Sequence, residues 1–464
     1  MFKIFDSPLL RQYAVVIIAN FSVLCTGLSL AWPSPVLVKL SNNNETIFSK
    51  PITEEEGSWI VSIGFLVAIC FSFLPAVLLD RIGRRQCIIL SCVPKMIMCL
   101  IFTFATEIWM LMLGRVFGAI ADTFTFTVVP TYASEVASKE IRGALGTILQ
   151  ILCSLGILLM LSIGPFTPYV TLNMVFTGVV VVLSIPLLFL PDSPYYLYSK
   201  GRTEEALKVL TFLRGSEVLA NEEIKEYSST DDVKPNIIDI FKNRQFLKAF
   251  GIVIVLTTGS QIIGFNAVTF YLQTVLESTK TSVKPEIASV IIGFIQLIAS
   301  FCTTLVTDRF GRKPILGSTL AGTAIGMIGL GIFFRIRETH EQISGFMNYL
   351  PLISLILVVY CYSAGPGSVN WPLCSELFDG PSRAIGLTVS GIIGSLTLFM
   401  TLKYFAFVTT AIGAPATYWM FSVNCILLCI FILFCIPETK GRSFAEIQVL
   451  LGQKKKNQDK AEKC

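Results

Sequence analysis

Two short charged cassettes hold the groups best placed for directional ionic chemistry in this chain. Asp80-Arg81-Ile82-Gly83-Arg84-Arg85 recurs as Asp308-Arg309-Phe310-Gly311-Arg312-Lys313. Each sets several guanidinium or ammonium groups around a glycine turn, the fixed and clustered donors that carboxylate pairing uses. The acceptors this predicts are Glu135 and Glu376, each followed seven residues later by an arginine, Arg142 and Arg383. A third matched pair, Pro191-Asp192-Ser193-Pro194 and Pro437-Glu438-Thr439-Lys440, follows in the same order. Three pairs in register predict that the second half of the chain repeats the first. We read Asp80, Arg81, Arg84, Arg85, Glu135, Arg142, Asp308, Arg309, Arg312, Glu376, Arg383 and Glu438 as one network, a conformational latch. Arg85 or Lys313 taken alone reads as a topology anchor.

The elements that must position these groups are membrane helices. Hydrophobic residues make up 53% of the chain and charged residues 14%, whereas a soluble domain keeps about 25% charged. Apolar runs of about 20 residues, enough to cross ~30 Å of hydrocarbon, recur twelve times. They fall near 13–33, 57–79, 87–105, 108–130, 143–163, 169–190, 247–276, 285–306, 314–335, 346–372, 382–404 and 413–436. Backbone amides cannot stay unpaired in lipid, and no barrel alternation is present, so these runs are helices. The expected fold is an all-α membrane protein of twelve transmembrane helices in two pseudo-symmetric six-helix halves. The halves are 1–190 and 247–436, with a cytoplasmic central loop 191–246 and a cytoplasmic tail 437–464. Two repeated membrane halves predict a carrier that rocks about a central site.

Charge placement orients the chain. Of the 36 Lys and Arg, 27 fall on alternate connections, including both termini, both cassettes and the central loop. The positive-inside rule makes those connections cytoplasmic. The basic residues are therefore topology signals, and nucleic-acid binding is not predicted. Twelve of the thirteen cysteines lie in or at the edge of spans, so they read as small core residues and no metal site is expected. Cys464 is the last residue and makes no prenylation motif. Asn44-Glu45-Thr46 is a glycosylation sequon on the predicted external loop 34–56. In the central loop Thr203 is placed as the cap of a helix running to Arg214, with Gly215 as its stop and a second helix near 221–227. Lys95 and Asp122 are charges inside spans 3 and 4, each eight residues from the cytoplasmic side. Matched depth predicts an intramembrane charge pair.

At this point the motifs resemble a known family, the sugar porters of the major facilitator superfamily, and most closely the insect facilitated trehalose transporter type. Pro130-Thr-Tyr132-Ala-Ser-Glu135 with Arg142-Gly143, Gln261-Ile-Ile-Gly264-Phe-Asn266 and Pro437-Glu-Thr-Lys-Gly-Arg442 match its motifs, which span almost the whole chain. The resemblance implies a central sugar site made of Gln150, Gln261, Asn266, Gln296 and Trp371. Amides both donate to and accept from sugar hydroxyls, and an indole face covers the apolar side of a pyranose. The sequence departs from the family at Ser260, Ser363, Ser368, Asn370, Tyr195, Ala119 and Asp122.

The expected function is facilitative transport of a sugar, hexose or trehalose-like, across the plasma membrane. A small-molecule sugar and the bilayer are the partners. No cofactor, nucleic acid or obligate protein partner is expected. A proton symporter is the nearest rival, but span 1 carries no Asp or Glu between Gln12 and Val38, and Asp122 is the one acid deep in a span. A non-transporting sugar receptor is the rival from another class. An enzyme is the weakest reading, since no nucleophile–base–orienter set is visible and nothing resembles a phosphate-binding Walker loop.

Overall fold

The computed structural model describes residues 7–138, 141–228, 237–242, 244–339, 345–378 and 380–438. Every regular element among them is helical. Eleven single spans run Pro8–Ser41, Arg84–Thr103, Ile108–Val136, Leu145–Phe166, Tyr169–Phe189, Arg244–Phe270, Pro285–Thr303, Arg312–Thr339, Leu350–Leu377, Ile385–Ile412 and Ala414–Cys435. Glu54–Phe71 and Leu74–Ile82, bent by 52° at their junction, complete the set as span 2. The count of twelve therefore agrees with the sequence reading. The outward surface carries Val182, Ile325, Leu427 and Phe434, all more than half exposed. A belt of large apolar side chains on the outside suits lipid.

Local chemistry explains the breaks. Pro75 opens the second segment of span 2, where its ring cannot continue the preceding helix. Thr53 starts span 2 with a capping box: its hydroxyl accepts from Glu56 N, and Glu56 Oε2 accepts from Thr53 N at 2.8 Å. Span 7 breaks at Gly264, whose φ of +91° lies in the left-handed region that glycine enters without strain. In the first half, Trp32 is fully buried and stacked on Phe102 with centroids 3.9 Å apart. Its indole N–H donates to Asn173 Oδ1 at 2.8 Å, tying spans 1, 3 and 6 together.

The halves meet along spans 2 and 11 and along spans 5 and 8. Ser154 and Ser300 share a hydrogen bond of 2.7 Å near the middle of spans 5 and 8. The other contacts lie further from the cassettes: Gln273 N donates to Ser34 Oγ at 3.1 Å, and Phe65 meets Phe270 edge-on at 5.5 Å. The described contacts thus close the side away from the cassettes. There a cavity of about 350 Å³ remains, lined from both halves by Lys39, Glu45, Gln273, Glu277 and Glu286.

The first part of the central connection folds into three helices, Pro194–Ser199, Thr203–Arg214 and Glu217–Ser228, and a short fourth, Ile237–Lys242, precedes span 7. The first three clasp the first half: Arg11 donates to Phe212 O, Gln12 to Leu213 O and Arg214 to Val136 O, at 2.8–3.0 Å. Gly215 ends the second helix at φ +71°, as its sequence position predicts. Thr203 is a correction. Arg202 occupies the cap, no side chain bonds the first amides, and Thr203 is the first helical residue. The backbone makes the N-terminal turn with Glu204 and Glu205 beside it, which suits the helix dipole without a hydroxyl. His340 and residues 439–464 lie outside the described residues.

Candidate functional site

The first cassette closes on its own half. Arg84 is 6% exposed. Its Nε donates to both Glu135 oxygens at 3.0 and 2.9 Å, its Nη2 to Oε1 at 2.8 Å, and its Nη1 to Leu79 O at 3.1 Å. Glu135 Oε2 also takes the Ser193 hydroxyl, and the rings of Tyr195 and Tyr196 flank the guanidinium at 5.8 and 5.5 Å. The guanidinium reaches the carboxylate and the carbonyl from three nitrogens held in one plane, a spread that the single nitrogen of a lysine does not reproduce. Asp80 is an exposed i,i+4 neighbour at 3.7 Å and adds little. Arg85 donates to Leu188 O at 2.6 Å, and Arg81 is exposed.

The second cassette repeats the plan more loosely. Arg312 Nη2 reaches Glu376 Oε1 at 3.2 Å, while Glu376 Oε2 and Arg312 Nε have no partner among the described residues. Arg383 is half-buried, two residues before span 11 in the helix Gly380–Ile412. The side chains of Arg142, Asp308 and Arg309 lie outside the described residues. The carboxylates of the third motif cap helices. Glu438 accepts from Arg312 N and Lys313 N, each at 3.0 Å, at the start of span 9. Asp192 accepts from Arg85 N at 3.5 Å at the start of span 3. Gly83 (φ +93°) and Gly311 (φ +90°) are required by the same geometry. A Cβ at Gly83 would stand 2.6 Å from the Tyr196 ring, and one at Gly311 would stand 3.0 Å from the Glu438 carboxylate.

Lys95 and Asp122 are brought into direct contact, Nζ on Oδ1. Thr26 Oγ1 donates to the same oxygen at 2.7 Å, so the pair binds span 1 as well as spans 3 and 4. Sequence reasoning assigns no role to Thr26 or to Arg115, which is 4% exposed on span 4. Arg115 has carbonyls as its partners, Ile60 O at 3.2 Å and Ser29 O at 3.1 Å. Lys403 on span 11 is a further residue that it misses. A basic residue inside an apolar run is the available signal for both cations.

The central positions are brought together in part. Across the Gly264 break, Asn266 Nδ2 donates to Gln261 Oε1 at 2.7 Å. On span 10, Asn370 Nδ2 donates to Ser260 Oγ at 3.1 Å, so two positions that depart from the family pattern meet each other. Gln296 is 5% exposed, and its Oε1 has no partner among the described residues, an acceptor that a ligand hydroxyl would satisfy. Gln150 and Gln296 each lie one turn from the Ser154–Ser300 contact, on opposite sides of it along the pathway. Trp371 is 59% exposed and makes no ring stack or polar contact among the described residues. Asn44 is exposed in the connection on the side away from the cassettes.

Twelve spans in two repeated sixes, with amides gathered where span 7 unwinds, define a membrane carrier. The family follows from comparison. Residues 15–451 match the family model for sugar (and other) transporters, and the chain belongs to that family. It is similar to the facilitated trehalose transporter Tret1 of Polypedilum vanderplanki, 28% identical over 442 residues, 94% of this chain and 87% of that protein. It is also similar to mouse solute carrier family 2, facilitated glucose transporter member 6, 28% identical over 454 residues, 95% and 90% of the two chains. The fold is that of the xylose transporter XylE from E. coli in its inward open conformation. The TM-score is 0.78 at 22% identity, covering 95% of this chain and 99% of that one. The chain is a multi-pass sugar transporter of the major facilitator superfamily and not an enzyme.

Proposed function

We propose that this transporter works as a facilitative uniporter for a hexose or a trehalose-like sugar at the plasma membrane, with both termini cytoplasmic. Residues 1–190 and 247–436 are the moving halves, 191–246 the link and 437–464 the tail. The observation that carries the reading is the amide pair across the Gly264 break. An unwound span at mid-membrane exposes donors and acceptors that a sugar can take up. On this orientation the cassette side is cytoplasmic, and the contacts that close the opposite side belong to the inward-facing state. The names of the curated relatives support a facilitated mode.

Counterflow of labelled hexoses and of trehalose in proteoliposomes tests this reading. Exchange of at least one sugar is expected, and binding without exchange would make the protein a receptor. Gln261→Ala and Trp371→Ala should each raise the uptake KM several-fold at near-normal surface expression. A neutral hydrogen bond is worth about 0.5–1.5 kcal/mol net. Unchanged constants in both variants would remove these residues from the site.

The energy source has a separate test. Uptake should stop at equilibrium and ignore a protonophore, because span 1 carries no acid and Asp122 is held by Lys95. Accumulation above equilibrium that collapses with protonophore would make the protein a symporter, with Asp122 the first residue to neutralise.

A further inference from the structure

Lys403 lies nine residues from the end of the helix Gly380–Ile412, ~14 Å below that end at 1.5 Å per residue. Its partner helix begins at Glu54, only four residues (~6 Å) before Ser58, so the ammonium sits just inside the mouth of the closed side. No carboxylate lies within ion-pair distance of it among the described residues. Instead its Nζ crosses to the other half, donating to Ser58 Oγ at 2.9 Å and standing 4.2 Å from the centroid of the Trp59 ring. The Ser58 hydroxyl proton is already committed to Glu55 O at 2.7 Å, so its oxygen is left as an acceptor for the ammonium. Trp59 is also held against Phe399 of span 11, centroids 6.1 Å apart. One lysine on span 11 thus grips two consecutive residues of span 2 across the seam between the halves.

We propose that Lys403 is a positioning residue of the transport cycle: its ammonium latches span 11 to span 2 when the side away from the cassettes is shut. The assignment rests on alternating access but not on the identity of the sugar. Both contacts join moving halves, so both must break when that side opens. Ser58 and Trp59 are neutral, so the latch is directional without being a salt bridge. It can release to water without leaving a buried carboxylate behind. The charge is what counts: a methionine of similar length keeps the apolar stem and loses both interactions.

The test reads the conformational balance directly, without sugar. Gln273 is 3% exposed on the closed side. A Gln273→Cys reporter is introduced into full-length protein in cells and labelled with a membrane-impermeant maleimide. With Lys403→Met added, labelling of the reporter is expected to quicken about 3- to 30-fold, the range for a cation over an indole ring. Lys403→Arg should stay within about twofold of the parent, because a guanidinium can keep both contacts. Trp59→Leu should quicken labelling too, and add little on the Lys403→Met background. Parent-like or slower labelling in Lys403→Met overturns the proposal, as does full additivity with Trp59→Leu. Surface biotinylation sets aside variants that do not fold, and Lys403→Arg then carries the decision against Lys403→Gln. A protein that fails sugar counterflow yet shows the Lys403→Met change would refute the uniporter reading and leave the latch standing.

Discussion

Glu135→Gln is expected to destabilise the purified transporter far more than Glu376→Gln, although the two positions match in the repeat. Glu135 accepts three guanidinium N–H bonds and the Ser193 hydroxyl. Its removal leaves Arg84, 6% exposed, as a buried charge with only the exposed Asp80, 3.7 Å away, as a counter-ion. Breaking such a pair from one side costs about 3–5 kcal/mol. Among the described residues Glu376 takes one guanidinium bond, at 3.2 Å, and both partners are about a fifth exposed, so its neutralisation leaves a better-solvated arginine and should cost less. Thermal unfolding of each variant in detergent measures the order. Cys87 reports the local event: it is fully buried in the first turn after Arg84 and should react faster with a thiol reagent when Glu135 is neutralised. Equal losses from the two substitutions, or an unchanged Cys87, would mean that the cassettes are topology anchors.

Asp122→Asn should lower expression and thermal stability more than Lys95→Met. The first leaves a cation that is 3% exposed with no counter-charge; the second leaves a carboxylate that keeps the Thr26 hydroxyl. A charge at mid-membrane costs about 2.5–3.5 kcal/mol on insertion scales, so either single change should be severe. Two combinations then decide the matter. Lys95→Met with Asp122→Asn should recover much of the loss, because neutral groups of similar volume replace a buried pair at little cost. The exchange Lys95→Asp with Asp122→Lys should recover it as well. Additive losses in both combinations would show that the two side chains act independently.

Much of the fold is legible in the sequence because lipid removes alternatives. Unpaired backbone is forbidden there, so twelve apolar runs have to be twelve helices, and most span ends match within a few residues, the largest differences being eight at the ends of spans 1 and 11. The Lys95–Asp122 contact is readable for the same reason. A charge in hydrocarbon needs a partner, and 3.6-residue geometry fixes its depth. The pairing of Arg84 with Glu135 follows from the duplicated cassette, since two copies of one motif meet the same packing demand.

The central positions are less legible. That Gln261 and Asn266 bond each other depends on a left-handed turn at Gly264, which redirects the chain between them. That Gln150 and Gln296 sit either side of a Ser154–Ser300 contact depends on the register of spans 5 and 8, which no local pattern carries. Lys403 escapes a sequence reading because its hydrogen-bond partner, Ser58, is a neutral residue 345 positions away, and Trp59 beside it is neutral too. Sequence alone determined the family motifs, the number of spans and the repeat, all carried by short segments in a fixed solvent. Tertiary structure alone decided which half each cassette closes on, that Asp192 and Glu438 cap helices, and which side of the carrier is shut. Those outcomes depend on how segments far apart in sequence cross. Crossing is set by shape complementarity summed over many side chains, and no one of them announces it.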